Sequence, residues 1–170
     1  MPTITIASYK EAIAFILNNM SVPVISINNP DIDPPPEIQY IETKLILGFH
    51  DTNKINASKK TPPQEQHVAQ IIEFANRVDI ANAPKLLIHC WAGVARSAAA
   101  AYICQAIWMG PRKEIEALAS VYEVRRIARP NSLMIEIADR LLERRGALVG
   151  ALKQCDSAEK YRLKNKSKSH

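Results

Sequence analysis

The segment His89-Cys90-Trp91-Ala92-Gly93-Val94-Ala95-Arg96-Ser97 holds a thiol and a guanidinium separated by five residues, with a glycine in the middle. A cysteine is a nucleophile as its thiolate, and thiolates are favoured where backbone N–H groups and cations converge. Five residues suffice for a curl whose N–H groups point inward as a nest, and Gly93 supplies freedom in φ where the curl is tightest. Arg96 would close the ring with a planar fork suited to two phosphate oxygens. A nucleophile at the floor of a phosphate cradle predicts phosphoryl transfer to sulfur, giving a cysteinyl phosphate that water later removes. Expelling the alkoxide or phenoxide needs a proton donor near the leaving oxygen. Asp51 is the leading candidate, with Asp31 and Asp33 as alternatives; a plain turn role is the competing explanation for Asp51.

Such a loop must be hung between a strand that ends at the cysteine and a helix that begins at the arginine. Leu86-Leu87-Ile88 has the length of a buried strand, and Ala98 to Met109 has strong helix propensity and is apolar nearly all round. The first amides of that helix are themselves a site for anions. Upstream, Thr3 to Ile6 alternates as a strand, and Ser8-Tyr9-Lys10-Glu11 has capping-box spacing for a helix to about Asn19. Val22 to Ile27 and Leu45 to Leu47 predict two more strands, separated by a proline-rich loop. Thr61-Pro62-Pro63-Gln64 predicts a helix start with Thr61 as cap, running to about Asp79. Helices are expected from Gly110-Pro111 to about Ile127, and as one piece from Asn131 to Leu152. Strands alternating with helices predict an α/β fold of three layers, a mostly parallel sheet of about four strands flanked by helices. Ligands bind such sheets at the carboxyl ends of the strands, where Cys90 and Asp51 both fall. Neighbouring strands would bring the two residues to one rim.

The nine-residue segment resembles the His-Cys-x-x-Gly-x-x-Arg-Ser/Thr signature of the cysteine-dependent protein tyrosine phosphatases, in the compact form of the dual-specificity group. Arg126 to Asn131 resembles, in shortened form, the Arg-x-x-Arg-Pro segment that follows in that group. The resemblance spans about residues 20 to 145. It implies Cys90 as nucleophile and a phosphate loop of Cys90, Trp91, Ala92, Gly93, Val94, Ala95 and Arg96. It also implies a general acid at Asp51 and a Ser97 hydroxyl that assists the departing thiolate. His89 would order the loop from behind, and Asn131 would tie the loop to the C-terminal helices. The substrate implied is a phosphorylated protein or peptide, phosphotyrosine first, because this loop is apolar and lacks the extra cations of inositol-phosphate enzymes. A catalytically weak or inactive phosphoprotein-binding module of the same fold is the alternative.

Composition narrows the class further. A chain of 170 residues is one domain, expected over 1–152, with a basic and flexible tail over 153–170. From Lys153 onward six Lys or Arg face two carboxylates, so the excess of +5 is mainly a property of that tail and argues weakly for nucleic acid. Three cysteines without pair spacing suggest a reduced, cytoplasmic protein; Cys104 is expected in the core, with a disulfide to Cys90 as the less favoured option. No apolar run approaches the roughly 18 residues of a membrane span. His50, His67 and His170 make no metal-ligand spacing, so neither metal nor cofactor is expected.

Overall fold

Period-two alternation decides how the strands are buried. In the strands around residues 4–6, 24–27 and 86–88, Ile4, Ile6, Ile25, Ile27, Leu86 and Ile88 enter one apolar cluster. Val24 and Leu87, on the opposite face, enter a second. The sheet therefore needs cover on both sides. The computed structural model, which describes residues 1–55, 59–78, 83–156, 160 and 162, supplies it.

The strands are β1 (Thr3–Ala7), β2 (Val24–Asn28), β3 (Lys44–Gly48) and β4 (Lys85–His89), and the helices are α1 (Tyr9–Leu17), α2 (Glu65–Arg77), α3 (Arg96–Met109), α4 (Glu114–Val124), α5 (Ser132–Leu141) and α6 (Ala147–Gln154). The four strands are all parallel, in the order β1-β4-β2-β3. On one face α1 and a short 3₁₀ turn at Pro36–Tyr40 pack over Ala12, Ile16, Ile38 and Ile41. On the other, α3 is the central element. It is buried from Arg96 through Ala106, and its small Ala98-Ala99-Ala100-Ala101 run lies between the sheet and the helices α2, α4 and α5. None of the described helices is long and apolar enough to cross a membrane.

Three expectations are corrected here. Asp51 and Cys90 do share a rim, but β3 and β4 are not neighbours: β2 lies between them, so the residues after β2 stand at the middle of that rim. The second helix begins at Glu65 with Gln64 at its cap, rather than at Thr61-Pro62, because Thr61 is drawn into a pair of hydrogen bonds with His50. The final helix is two. After α5 the chain turns through left-handed Glu143, Arg145 and Gly146. The buried Asp139 carboxylate then accepts from Gly146 N, Leu148 N and Val149 N at 2.6, 2.7 and 3.2 Å and starts α6. Arg144, at the same corner, pairs with Glu114 at 2.9 Å and donates to the Ala106 carbonyl, joining α3 to α4. Beyond α6, Cys155 is still buried. Residues 157–159, 161 and 163–170 of the expected tail lie outside the described residues.

The buried Asp139 carboxylate answers three amides at the start of α6, and hydrogen bonds to a charged group are worth more than neutral ones. Asp139→Ala is expected to cost about 2–3 kcal/mol, read as a lowered denaturation midpoint, with α6 losing protection from hydrogen exchange first.

Candidate active site

A loop of five residues can turn its amides inward only if its carbonyls turn outward and find donors there. Every carbonyl from Trp91 to Ala95 does. Trp91 O accepts from Tyr9 N at 3.1 Å, Val94 O from Arg129 N at 2.8 Å, and Ala95 O from Asn131 N at 3.2 Å and Ala99 N at 2.9 Å. The remaining two are taken by one side chain. Arg125 Nε donates to Gly93 O at 3.1 Å and its Nη2 reaches Ala92 O at 3.5 Å. Among the described residues, none of the amides from Trp91 to Ala95 donates to a protein acceptor. Of these residues, Trp91, Ala92 and Ala95 line the space beside Cys90 together with Arg96.

Gly93 is required twice over. Its φ is +67°, and an added Cβ would stand 2.6 Å from both Ala7 C and Ser8 N. The β1–α1 joint is thus the back wall of the loop. Arg125 is held in place by Glu11, at 3.0 Å, which is also the capping-box partner of Ser8. The Arg125 guanidinium, first, and the Ser8 amide then hold the Glu11 carboxyl down at about 2.

Inside the ring, Cys90 Sγ lies 3.2 Å from Ser97 Oγ, both buried. Arg96 is 3% exposed. Its Nη1 donates to Asn29 Oδ1 at 2.9 Å and to the Phe49 carbonyl at 2.6 Å, and its Nε is buried with no partner. A buried donor on a fixed guanidinium, beside free amides, fits a tetrahedral oxyanion. His89, behind the cysteine, sits 2.8 Å from Ser26 Oγ, which accepts from Asn28 Nδ2 at 2.9 Å. Burial, reinforced by the Arg96 charge and opposed by a backbone contact with Cys90, pushes the His89 ring down to about 4. Its neutral ring therefore supports the loop without adding charge.

The cleft over Cys90, about 260 Å³, is lined by Asn29, His50, Asp51, Lys60, Trp91, Ala92, Ala95 and Arg96. Asp51 thus faces the same space as the thiol. Asn131 Nδ2 fixes its Oδ1 at 2.9 Å and also donates to the Thr52 carbonyl at 3.3 Å, while Asn131 Oδ1 accepts from Met134 N to cap α5. Asp31 and Asp33 do not line the cleft; Asp31 lies 4.0 Å from His50 Nε2, and the Asp33 carbonyl accepts from the Tyr9 hydroxyl. Trp91 is 58% exposed at the mouth, with its ring 5.5 Å from that of Tyr9. Cys104 is fully buried with a free thiol pushed up to about 12 by desolvation, which leaves it inert.

Sequence reasoning missed Asn29, Lys60 and Arg125. Asn29 follows β2, and asking which residue follows every strand would have found it. Arg125 was passed over for its neighbour Arg126, which is exposed.

The same architecture occurs in solved structures. Human tyrosine phosphatase-like serine/threonine/tyrosine-interacting protein superposes with a TM-score of 0.62 at 20% identity, covering 84% of this chain and 93% of that one. Human DUSP28 gives 0.62 at 17%, covering 84% and 96%. DUSP15 gives 0.62 at 20%, covering 96% and 90%. By sequence, no family model and no curated protein matches. The fold is that of the protein tyrosine and dual-specificity phosphatases, an α/β fold around a four-stranded parallel sheet.

Two outcomes are expected. Gly93→Ala must move the β1–α1 joint or open the curl, and should abolish detectable orthovanadate binding in calorimetry while the far-UV spectrum stays that of the wild type. His89 titrates at about 4 in the fold against 6.5 when free. The unfolded chain therefore takes the proton first, and stability from this group is full above pH 6.5 and is lost as pH falls toward 4. The loss should be about 3 kcal/mol, measured by denaturation as the pH slope of wild type minus that of His89→Gln.

Proposed function

We propose that this protein is a metal-independent phosphatase that hydrolyses phosphotyrosine monoesters through a cysteinyl-phosphate intermediate. The observation that supports the reading is the buried Cys90 thiol in a cleft lined by loop residues whose amides have no acceptor among the described residues, beside a buried Arg96 Nε with no partner. The Cys90 thiolate attacks phosphorus while the P–O bond to the leaving group breaks. Amides of Trp91 to Arg96 and the Arg96 guanidinium hold the three equatorial oxygens, where charge develops. Asp51, entering protonated, gives its proton to the leaving oxygen. In the second step Asp51 takes a proton from water as the water oxygen bonds phosphorus and the S–P bond breaks. The sulfur leaves as thiolate, accepting the hydrogen bond of Ser97.

Asn131 is a positioning residue in this scheme. One side chain orients the carboxylate of Asp51 while its backbone N–H holds the last carbonyl of the loop, so acid and cradle move as a unit. The apolar loop interior and the exposed Trp91 beside Tyr9 favour an aryl phosphate on a protein or peptide, and the free cysteines suit a reducing compartment such as the cytoplasm. Phosphoserine and phosphothreonine peptides belong in the same assay, as shorter side chains that test the depth of the cleft.

The test is turnover of an aryl phosphate by reduced protein in chelator, near pH 6. Wild type should hydrolyse it and vanadate should inhibit. Cys90→Ser should show none. Asp51→Asn should lower kcat by about 10²–10⁴. Tight phosphopeptide binding with no turnover in wild type would replace the enzyme with a binding module.

A further inference from the structure

The phosphate of a monoester is fully answered by the loop amides and Arg96, yet the cleft carries one more cation. Lys60 lines the same space as Cys90 and Arg96. Its place is fixed by the residue after it: His50 N donates to Thr61 O at 2.7 Å and Thr61 N donates to His50 Nδ1 at 3.0 Å, a two-bond staple at the wall of the cleft. Among the described residues the Lys60 ammonium has no hydrogen-bond or ion-pair partner. The nearby carboxylates are otherwise engaged, Asp51 with Asn131 and Asp31 facing His50.

We infer that Lys60 is a specificity-determining residue that receives a carboxylate beside the phosphorylated side chain, so that the cleft selects phosphotyrosine peptides with an acidic neighbour. The inference rests on the phosphatase reading above and adds the substrate class. One lysine matches one carboxylate. An inositol ring bearing several phosphates would need several cations, and the loop residues Trp91 to Ala95 offer none. The exposed Trp91 that lines the cleft suits a peptide whose tyrosine ring enters between the loop and the wall that bears Lys60.

The experiment measures binding in the Cys90→Ser background, by fluorescence anisotropy, of two phosphotyrosine peptides that differ only in Glu or Gln next to the phosphotyrosine. The Glu peptide should bind about three- to fivefold tighter, as one exposed ion pair allows, and the ratio should shrink at high salt. Lys60→Ala should bring the ratio to one, Lys60→Glu should invert it, and Lys60→Arg should restore it. A ratio of one in the parent, no binding of either peptide, or an unchanged ratio in Lys60→Ala would overturn the inference. So would a soluble inositol bisphosphate that binds tighter than both peptides and depends on Lys60. Aryl phosphate turnover by wild type is read alongside: its absence rejects the phosphatase, while the peptide ratio still judges Lys60.

Discussion

A ring of amides aimed at one point is an arrangement the backbone does not adopt unaided, because it sets like dipole ends against each other. Here the opposite ends of those dipoles are gripped. Five successive carbonyls are taken by donors from α1, α3, Arg125, Arg129 and Asn131, so the amides have only the centre left to face. Everything proposed for Cys90 depends on that outward capture. A thiol on the same strand without it would be an ordinary buried cysteine, as Cys104 is.

The two arginines of the site divide the electrostatics between them. Arg125 is neutralised by Glu11 and serves as a brace, its remaining donors spent on the loop's carbonyls. Arg96 is buried with neutral partners only, an amide oxygen and a carbonyl oxygen. Among the described residues its guanidinium makes no ion pair. Burying a guanidinium that way is unfavourable for stability, and the cost is sustained because the fold fixes its head from two sides. A carboxylate in the place of Asn29 would have relieved the strain and quenched the field that an oxyanion needs.

Most of the candidate site residues could be picked out because they are contiguous. Cysteine, glycine, arginine and serine at fixed offsets between an apolar run and an alanine-rich helix describe a cradle by themselves, and the strands were legible from their alternation. What escaped was long-range. Nothing local in Arg125 distinguishes it from Arg126; only the sheet order places it behind the loop. Asn29 was invisible for the same reason, since inserting β4 between β1 and β2 is a choice of topology. Asp139 reads as a helix-face residue until its carboxylate turns out to cap the next helix. The expected cap at Thr61 failed because His50, eleven residues earlier and beyond the reach of a local pattern, offered that residue better partners. Local patterns lose wherever a distant group competes for the same amide.

The back wall of the cradle is built by residues near position 7, its brace by position 125 and its far tie by position 131. These segments meet only once the whole chain has closed. On the proposed reading, anion occupancy would then be coupled to the unfolding of these segments together. A ligand present at a hundred times its dissociation constant would add about 2.7 kcal/mol to the free energy of unfolding, spread over the entire sheet. The protein's resistance to heat and proteolysis would thus follow the phosphate concentration around it.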